Sequence, residues 1–141
     1  MMQKDKRYIA FVCTGNTCRS PMAEGIFNKL SDNIKAESFG VDTITSMPIS
    51  EKSVEVCKEI DVDISTLRST YIGDTDIEKY EKFYCMSQSH MALLFQCYGV
   101  ALDKMKLLGV SDPYGGNLEI YRQCRDEIYN SVKEILKSYE D

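Results

Sequence analysis

At 141 residues the chain is long enough to bury roughly two-thirds of its unfolded surface in one domain without disulfide or metal staples. A hydrophobic share of 43% beside 28% charged residues, with no low-complexity tract or internal repeat, predicts one globular domain over residues 1–141. The formal charge of -5 and pI near 5.0 argue against nucleic-acid or anionic-membrane partners, which need a basic surface.

The polar start, Met1-Met2-Gln3-Lys4-Asp5-Lys6-Arg7, precedes an apolar run too short for a signal-peptide core or a membrane span, so a cytoplasmic protein is expected. Six cysteines, at 13, 18, 57, 85, 97 and 124, form no C-x-x-C pair, and the chain has 1 histidine. Reduced thiols are therefore expected, with no metal site and no other cofactor.

In chain order, Tyr8-Ile9-Ala10-Phe11-Val12 is apolar without alternation and reads as a strand buried on both faces. A polar loop follows, and Ser20-Pro21 opens a helix with Ser20 as cap, Pro21 in the first helical position and Glu24 in the first turn. Met22, Ala23, Ile26, Phe27 and Leu30 form its core stripe. Residues 35–41 read as a second strand ending at Gly40, and 50–60 as a helix capped by Ser50 that buries Val54, Cys57 and Ile60. Residues 61–69 form a turn-rich connector, 76–80 a short helix, 83–86 a third strand, 87–98 a helix and 105–108 a fourth strand. The segment 118–139 is a long amphipathic helix with Ile120, Tyr121, Cys124, Ile128, Val132, Ile135 and Leu136 facing the core. The order βαβαβαβα predicts a layered α/β fold around a parallel sheet.

Ligands of such folds bind beyond the carboxyl ends of the strands. Two polar loops emerge there: Cys13-Thr14-Gly15-Asn16-Thr17-Cys18-Arg19 after the first strand, and Ser111-Asp112-Pro113-Tyr114-Gly115-Gly116 after the fourth. Successive backbone N–H groups ending at a helix N-terminus make an anion nest, with Gly15 expected to supply a positive φ. Thr14, Gly15, Asn16, Thr17, Cys18 and Arg19 would thus cradle a phosphate or similar oxyanion, and Arg19 would pair bidentately with its oxygens. Beside Arg19 and a helix N-terminus, Cys13 is expected to have a lowered pKa and to serve as nucleophile. Ser20 would donate to the thiolate and Asn16 would brace the loop. Asp112 would protonate the leaving group after attack on phosphorus, then activate the water that cleaves the phosphocysteine. Arg19 and the loop amides supply the positive charge that a metal ion brings elsewhere.

Cys13-Thr14-Gly15-Asn16-Thr17-Cys18-Arg19-Ser20-Pro21-Met22-Ala23-Glu24, with Asp112-Pro113-Tyr114 late in the chain, resembles the low-molecular-weight protein tyrosine phosphatase family over essentially the whole sequence. The resemblance implies a three-layer α/β/α fold with a four-stranded parallel sheet of flavodoxin-like topology, nucleophile Cys13, phosphate-binding Arg19 and general acid Asp112. Ile64-Ser65-Thr66-Leu67-Arg68-Ser69 is similar to the family's segment after the second helix, with leucine where histidine is common. Thr17, with Thr-Cys-Arg-Ser and Asp-Pro-aromatic-Gly-Gly, resembles the bacterial protein-arginine phosphatase branch. The expected substrate is a phosphorylated protein, phosphoarginine ahead of phosphotyrosine, acted on by a monomer or weak dimer.

Several residues keep two readings. The Thr17 hydroxyl either bonds the attacking water or a guanidinium nitrogen, or satisfies the loop backbone. Tyr114 is either the wall against which a flat side chain stacks or a rim aromatic. Cys18 either fills the loop or closes a reversible disulfide with Cys13. Cys57, Cys85, Cys97 and Cys124 read as core, and His90 as local packing. Tyr129 and Tyr139 are either modification sites or part of a solvated helix face. An arsenate reductase, with Cys85 and Cys97 as relay thiols, is a more distant alternative; a non-catalytic phospho-ligand binder is disfavoured because nucleophile and acid are both present. A P-loop nucleotide hydrolase is excluded by the missing Gly-Lys-Ser/Thr.

Overall fold

A computed structural model describes residues 7–139. Four parallel strands, β1 (Arg7–Cys13), β2 (Ile34–Gly40), β3 (Lys82–Cys85) and β4 (Met105–Leu107), form one sheet in the order β2-β1-β3-β4. Helices α1 (Arg19–Leu30), α2 (Glu51–Lys58), α3 (Gln88–Tyr98) and α4 (Leu118–Ser138) alternate with the strands. The three-layer α/β/α arrangement expected from the sequence is present.

The alternation of side chains along β1 explains why its apolar run is unbroken. Ile9, Phe11 and Cys13 join the core under α1 and α4, with Met22, Phe27, Tyr84 and Ile128. Ala10 and Val12 point the other way, into the core under α3, with Phe39, Phe83 and Leu94. Both faces are covered, so every residue from Ile9 to Cys13 is buried. Fully burying one such large side chain contributes about 1.5–3 kcal/mol, which makes the central strand a rigid base for the loop at its end.

The strand order reverses between β1 and β3, because β2 lies on one side of β1 and β3 on the other. The crevice at such a switch point is where a doubly wound sheet binds ligands, and the loop 14–18 leaves β1 there.

Three local expectations are corrected. Helix α1 begins at Arg19 with Cys18 in the cap position, so Ser20 is not its cap and the first turn holds no acid. Glu24 lies a turn further on, where its carboxylate accepts from the Ser38 hydroxyl at 2.6 Å. Ser50 stands at the cap of α2 as expected, without a side-chain cap bond. The segment expected as a short helix at 76–80 is a single 3₁₀ turn, Ile77–Lys79, capped by Asp76.

Candidate active site

The loop takes its shape from side chains far apart in the sequence. Asn16, not Gly15, adopts the positive φ, at 55°. Asparagine tolerates that conformation better than most residues, and here its side chain is held at three points. Its Nδ2 donates to Ser20 Oγ at 2.8 Å and Ser38 Oγ at 2.9 Å, and its Oδ1 accepts from the Thr70 backbone at 2.7 Å. Gly40 at the end of β2 lets the loop pack close: a Cβ there would lie 2.6 Å from the Thr14 carbonyl oxygen.

Cys13 is 2% exposed, with its sulfur facing donors. The Asn16 backbone N–H donates to Sγ at 3.2 Å, and Ser20 Oγ stands 2.8 Å away. Ser20 Oγ accepts from Asn16 Nδ2, and once Cys13 is a thiolate, an acceptor only, the Ser20 proton is given to the sulfur. Burial nonetheless pushes the Cys13 pKa above the ordinary thiol value, while Ser20, Asn16 and the Arg19 charge pull it down. The expectation of a lowered value is therefore corrected: loss of hydration outweighs the charge and hydrogen bonds that favour the anion.

Arg19, 6% exposed, is anchored by donation from Nη1 to the Val110 carbonyl at 3.0 Å. Its Nη2 reaches Asp112 Oδ2 at 3.9 Å, which brings the late loop to the early one. Asp112 accepts from the Tyr114 backbone N–H at 3.0 Å, an Asx turn that orients the carboxylate, while its side chain stays 53% exposed. Tyr114 is 82% exposed at the rim. Cys13, Thr14, Gly15, Asn16, Thr17, Cys18, Arg19, Asp112 and Tyr114 line one cavity of about 230 Å³. Every residue expected at the site is thus on it, apart from Ser20, which lies beneath and contacts Cys13. Larger hollows, of about 390, 350, 330 and 310 Å³, lie elsewhere and none of them is lined by a cysteine.

The Thr17 hydroxyl meets Cys18 Sγ at 4.0 Å and takes no backbone partner among the described residues. Cys18 Sγ is buried, 3.6 Å from the Tyr121 hydroxyl. Cys85 is buried in the core on the other side of the sheet from Cys13 and Cys97 is exposed on α3, so neither is a relay thiol beside the nucleophile, and Cys97 is not core. Cys57, Cys85 and Cys124 are buried, each with its pKa pushed up to about 12 by desolvation. Tyr129 and Tyr139 pack half-buried against the core, so a solvated face does not describe them.

Two features escaped the sequence analysis. Ser38, Asn16 and Ser20 link the Glu24 carboxyl to the Cys13 sulfur in one hydrogen-bonded chain. His90 is 2% exposed, and its Nε2 lies 2.9 Å from Thr14 Oγ1, so it packs against the loop itself.

A thiol set in a nest of amides at a helix N-terminus, with a guanidinium and a carboxylate across the cavity, defines a cysteine-dependent phosphatase. The chain belongs to the low molecular weight phosphotyrosine protein phosphatase family, whose model matches residues 8–141. It is 33% identical over 140 residues to the low molecular weight protein-tyrosine-phosphatase PtpB of Staphylococcus epidermidis, spanning 94% of this chain and 99% of that protein. It is 30% identical over 142 residues to the protein-arginine-phosphatase of Bacillus subtilis, spanning 92% and 94%. The crystal structure of a low molecular weight protein tyrosine phosphatase from T. tengcongensis matches with a TM-score of 0.87 at 35% identity, covering 94% of this chain and 99% of that one. The family acts on phosphorylated proteins, and no helix among the described residues is long and apolar enough to cross a membrane.

Proposed function

We propose that the chain removes phosphate from phosphoarginine side chains of proteins in the cytoplasm, through a phosphocysteine on Cys13. The observation that carries the reading is the Thr17 hydroxyl, which takes no backbone partner among the described residues and lines the same cavity as Cys13, Arg19 and Asp112. A guanidinium beside the phosphorus offers N–H donors to such a hydroxyl, whereas an aryl ester offers none. The similarity to the arginine phosphatase of B. subtilis supports it.

In the first step the Cys13 thiolate attacks phosphorus, the P–N bond breaks, and Asp112 gives its proton to the departing guanidine nitrogen. Arg19 and the loop amides hold the equatorial oxygens as charge spreads over them. In the second step the Asp112 carboxylate takes a proton from water, which attacks phosphorus and breaks the S–P bond, releasing phosphate and the thiolate. Tyr114 walls the cavity mouth, where a planar guanidinium or phenyl group would stack.

Phosphotyrosine is the second reading, favoured by the similarity to PtpB. Phosphoarginine and phosphotyrosine peptides compared on wild type and Thr17→Ile separate the two. Wild type is expected to prefer phosphoarginine, and Thr17→Ile to shift the preference toward phosphotyrosine. A strong wild-type preference for phosphotyrosine would refute the proposal.

A further inference from the structure

His90 holds a single tautomer because one of its neighbours can only donate. The Ser87 backbone N–H points at Nδ1 from 3.2 Å, closing a capping box at the start of α3 in which histidine stands where glutamate or glutamine is usual. Ser87 Oγ, 3.1 Å from the same nitrogen, can give its own proton there too, so Nδ1 accepts and the proton of the neutral ring sits on Nε2. The ring is neutral near pH 7, since burial and the Arg19 charge push its pKa down to about 4. Nε2–H then donates to Thr14 Oγ1, 2.9 Å away.

Thr14 is exposed at the mouth of the cavity, where a hydroxyl would otherwise rotate among water partners. With the imidazole on one lone pair, Oγ1 keeps its second lone pair and its own proton in directions set from outside the loop. Phosphoarginine matches both, offering guanidinium N–H donors and phosphoryl acceptors side by side. Phosphotyrosine offers oxygens and ring C–H groups only.

We propose that His90 is a specificity-positioning residue: by donating to Thr14 Oγ1 it turns that hydroxyl to accept a guanidinium N–H of phosphoarginine while donating to the phosphoryl group. The inference rests on the phosphoarginine reading and adds a second hydroxyl, opposite in origin to Thr17. Thr17 is oriented by the loop alone, whereas Thr14 is oriented by a helix from the far layer of the sheet.

The test is the ratio of kcat/KM on a phosphoarginine peptide to kcat/KM on a phosphotyrosine peptide, which cancels any general loss of activity. Thr14→Val is nearly isosteric at an exposed position and is expected to lower the ratio about tenfold, the effect of losing one of several hydrogen bonds. His90→Leu should lower it likewise. His90→Gln should restore it, because one amide oxygen can accept from Ser87 while the nitrogen donates to Thr14. As His90 is the single histidine, imidazole 15N shifts report its tautomer directly, and Nε2–H is expected at pH 7. A ratio unmoved by Thr14→Val, or an Nδ1–H tautomer, overturns the role of His90 and leaves a wild-type phosphoarginine preference standing. A wild type that prefers phosphotyrosine defeats the underlying reading, and this inference with it.

Discussion

Replacing Glu24 by glutamine should change how stability depends on pH. Glu24 reaches inward from α1 to Ser38 on β2, and burial pushes its pKa from 4.5 up to about 7. Glu37 nearby adds to the rise, while the Ser38 hydrogen bond and Lys35 oppose it. The folded chain therefore holds this proton more tightly than the unfolded one. Below about pH 4.5 both states are protonated and Glu24 contributes no pH dependence. Between there and about pH 7 the unfolded chain loses the proton first, so stability falls as pH rises; above that the full cost is present. At about 1.4 kcal/mol for each pKa unit the whole effect is about 3 kcal/mol, an upper bound for a half-buried side chain. Glutamine keeps an oxygen to accept from Ser38 and carries no charge. Urea denaturation of wild type and Glu24→Gln at pH 5 and pH 8 should show the variant gaining about 2–3 kcal/mol relative to wild type at the higher pH. Parallel pH profiles would refute the argument, since they would mean that Glu24 titrates alike folded and unfolded.

Asp112→Asn should lower kcat by about 10²–10⁴-fold on substrates with poor leaving groups, and Cys13→Ser should abolish turnover with the fold intact; full activity of Asp112→Asn on a phosphoprotein would remove it as the acid. Ser20→Ala deletes the O–H aimed at the Cys13 sulfur, so the thiol pKa should rise further and iodoacetamide alkylation at pH 7 should slow on the order of tenfold. Gly40→Ala places a Cβ 2.6 Å from the Thr14 carbonyl and should cost about 1–3 kcal/mol in a thermal or urea melt, with a loss of kcat beyond the loss of folded protein. Peroxide treatment should join Cys13 to Cys18 in a bond that dithiothreitol reverses, and Cys18→Ser should make the inactivation irreversible; equal recovery of both proteins would show that Cys18 only fills the loop.

The sheet was legible because buried parallel strands leave unbroken apolar runs, and β1 differs from the expected 8–12 by one residue at each end. Helix starts were less so. Ser20-Pro21 has the pattern of a cap and first turn, yet the serine hydroxyl is committed to Cys13 and Asn16, and the helix begins two residues earlier. Periodicity also overcounted the core. Ile120, at 43% exposed, lies in the first turn of α4, and Cys97 sits on α3, whose buried residues are His90 and Leu94 alone. A helix with so narrow a contact stripe leaves apolar residues outside it. The cavity's own residues were found because they fall in two short segments with recognisable chemistry. Ser38, Thr70 and His90 were not, since they meet Asn16 and Thr14 across 22, 54 and 76 positions, a separation that no local pattern encodes.

Those long-range contacts also account for the balance at Cys13. A sulfur stripped of water is a stronger nucleophile once ionised but is harder to ionise, so the site needs donors that stay aimed at it without solvent. A mobile loop would lose them to water. Asn16 prevents this by tying the loop at once to Ser20 on α1, Ser38 on β2 and the backbone at Thr70, which fixes the Asn16 N–H and the Ser20 O–H on the sulfur together. On this view Asn16→Ala should do more than remove one hydrogen bond. It should release both donors and relax the positive φ, raising the Cys13 pKa more than Ser20→Ala does, and an alkylation pH profile in which Ser20→Ala has the larger effect would place control of the thiolate in the serine alone.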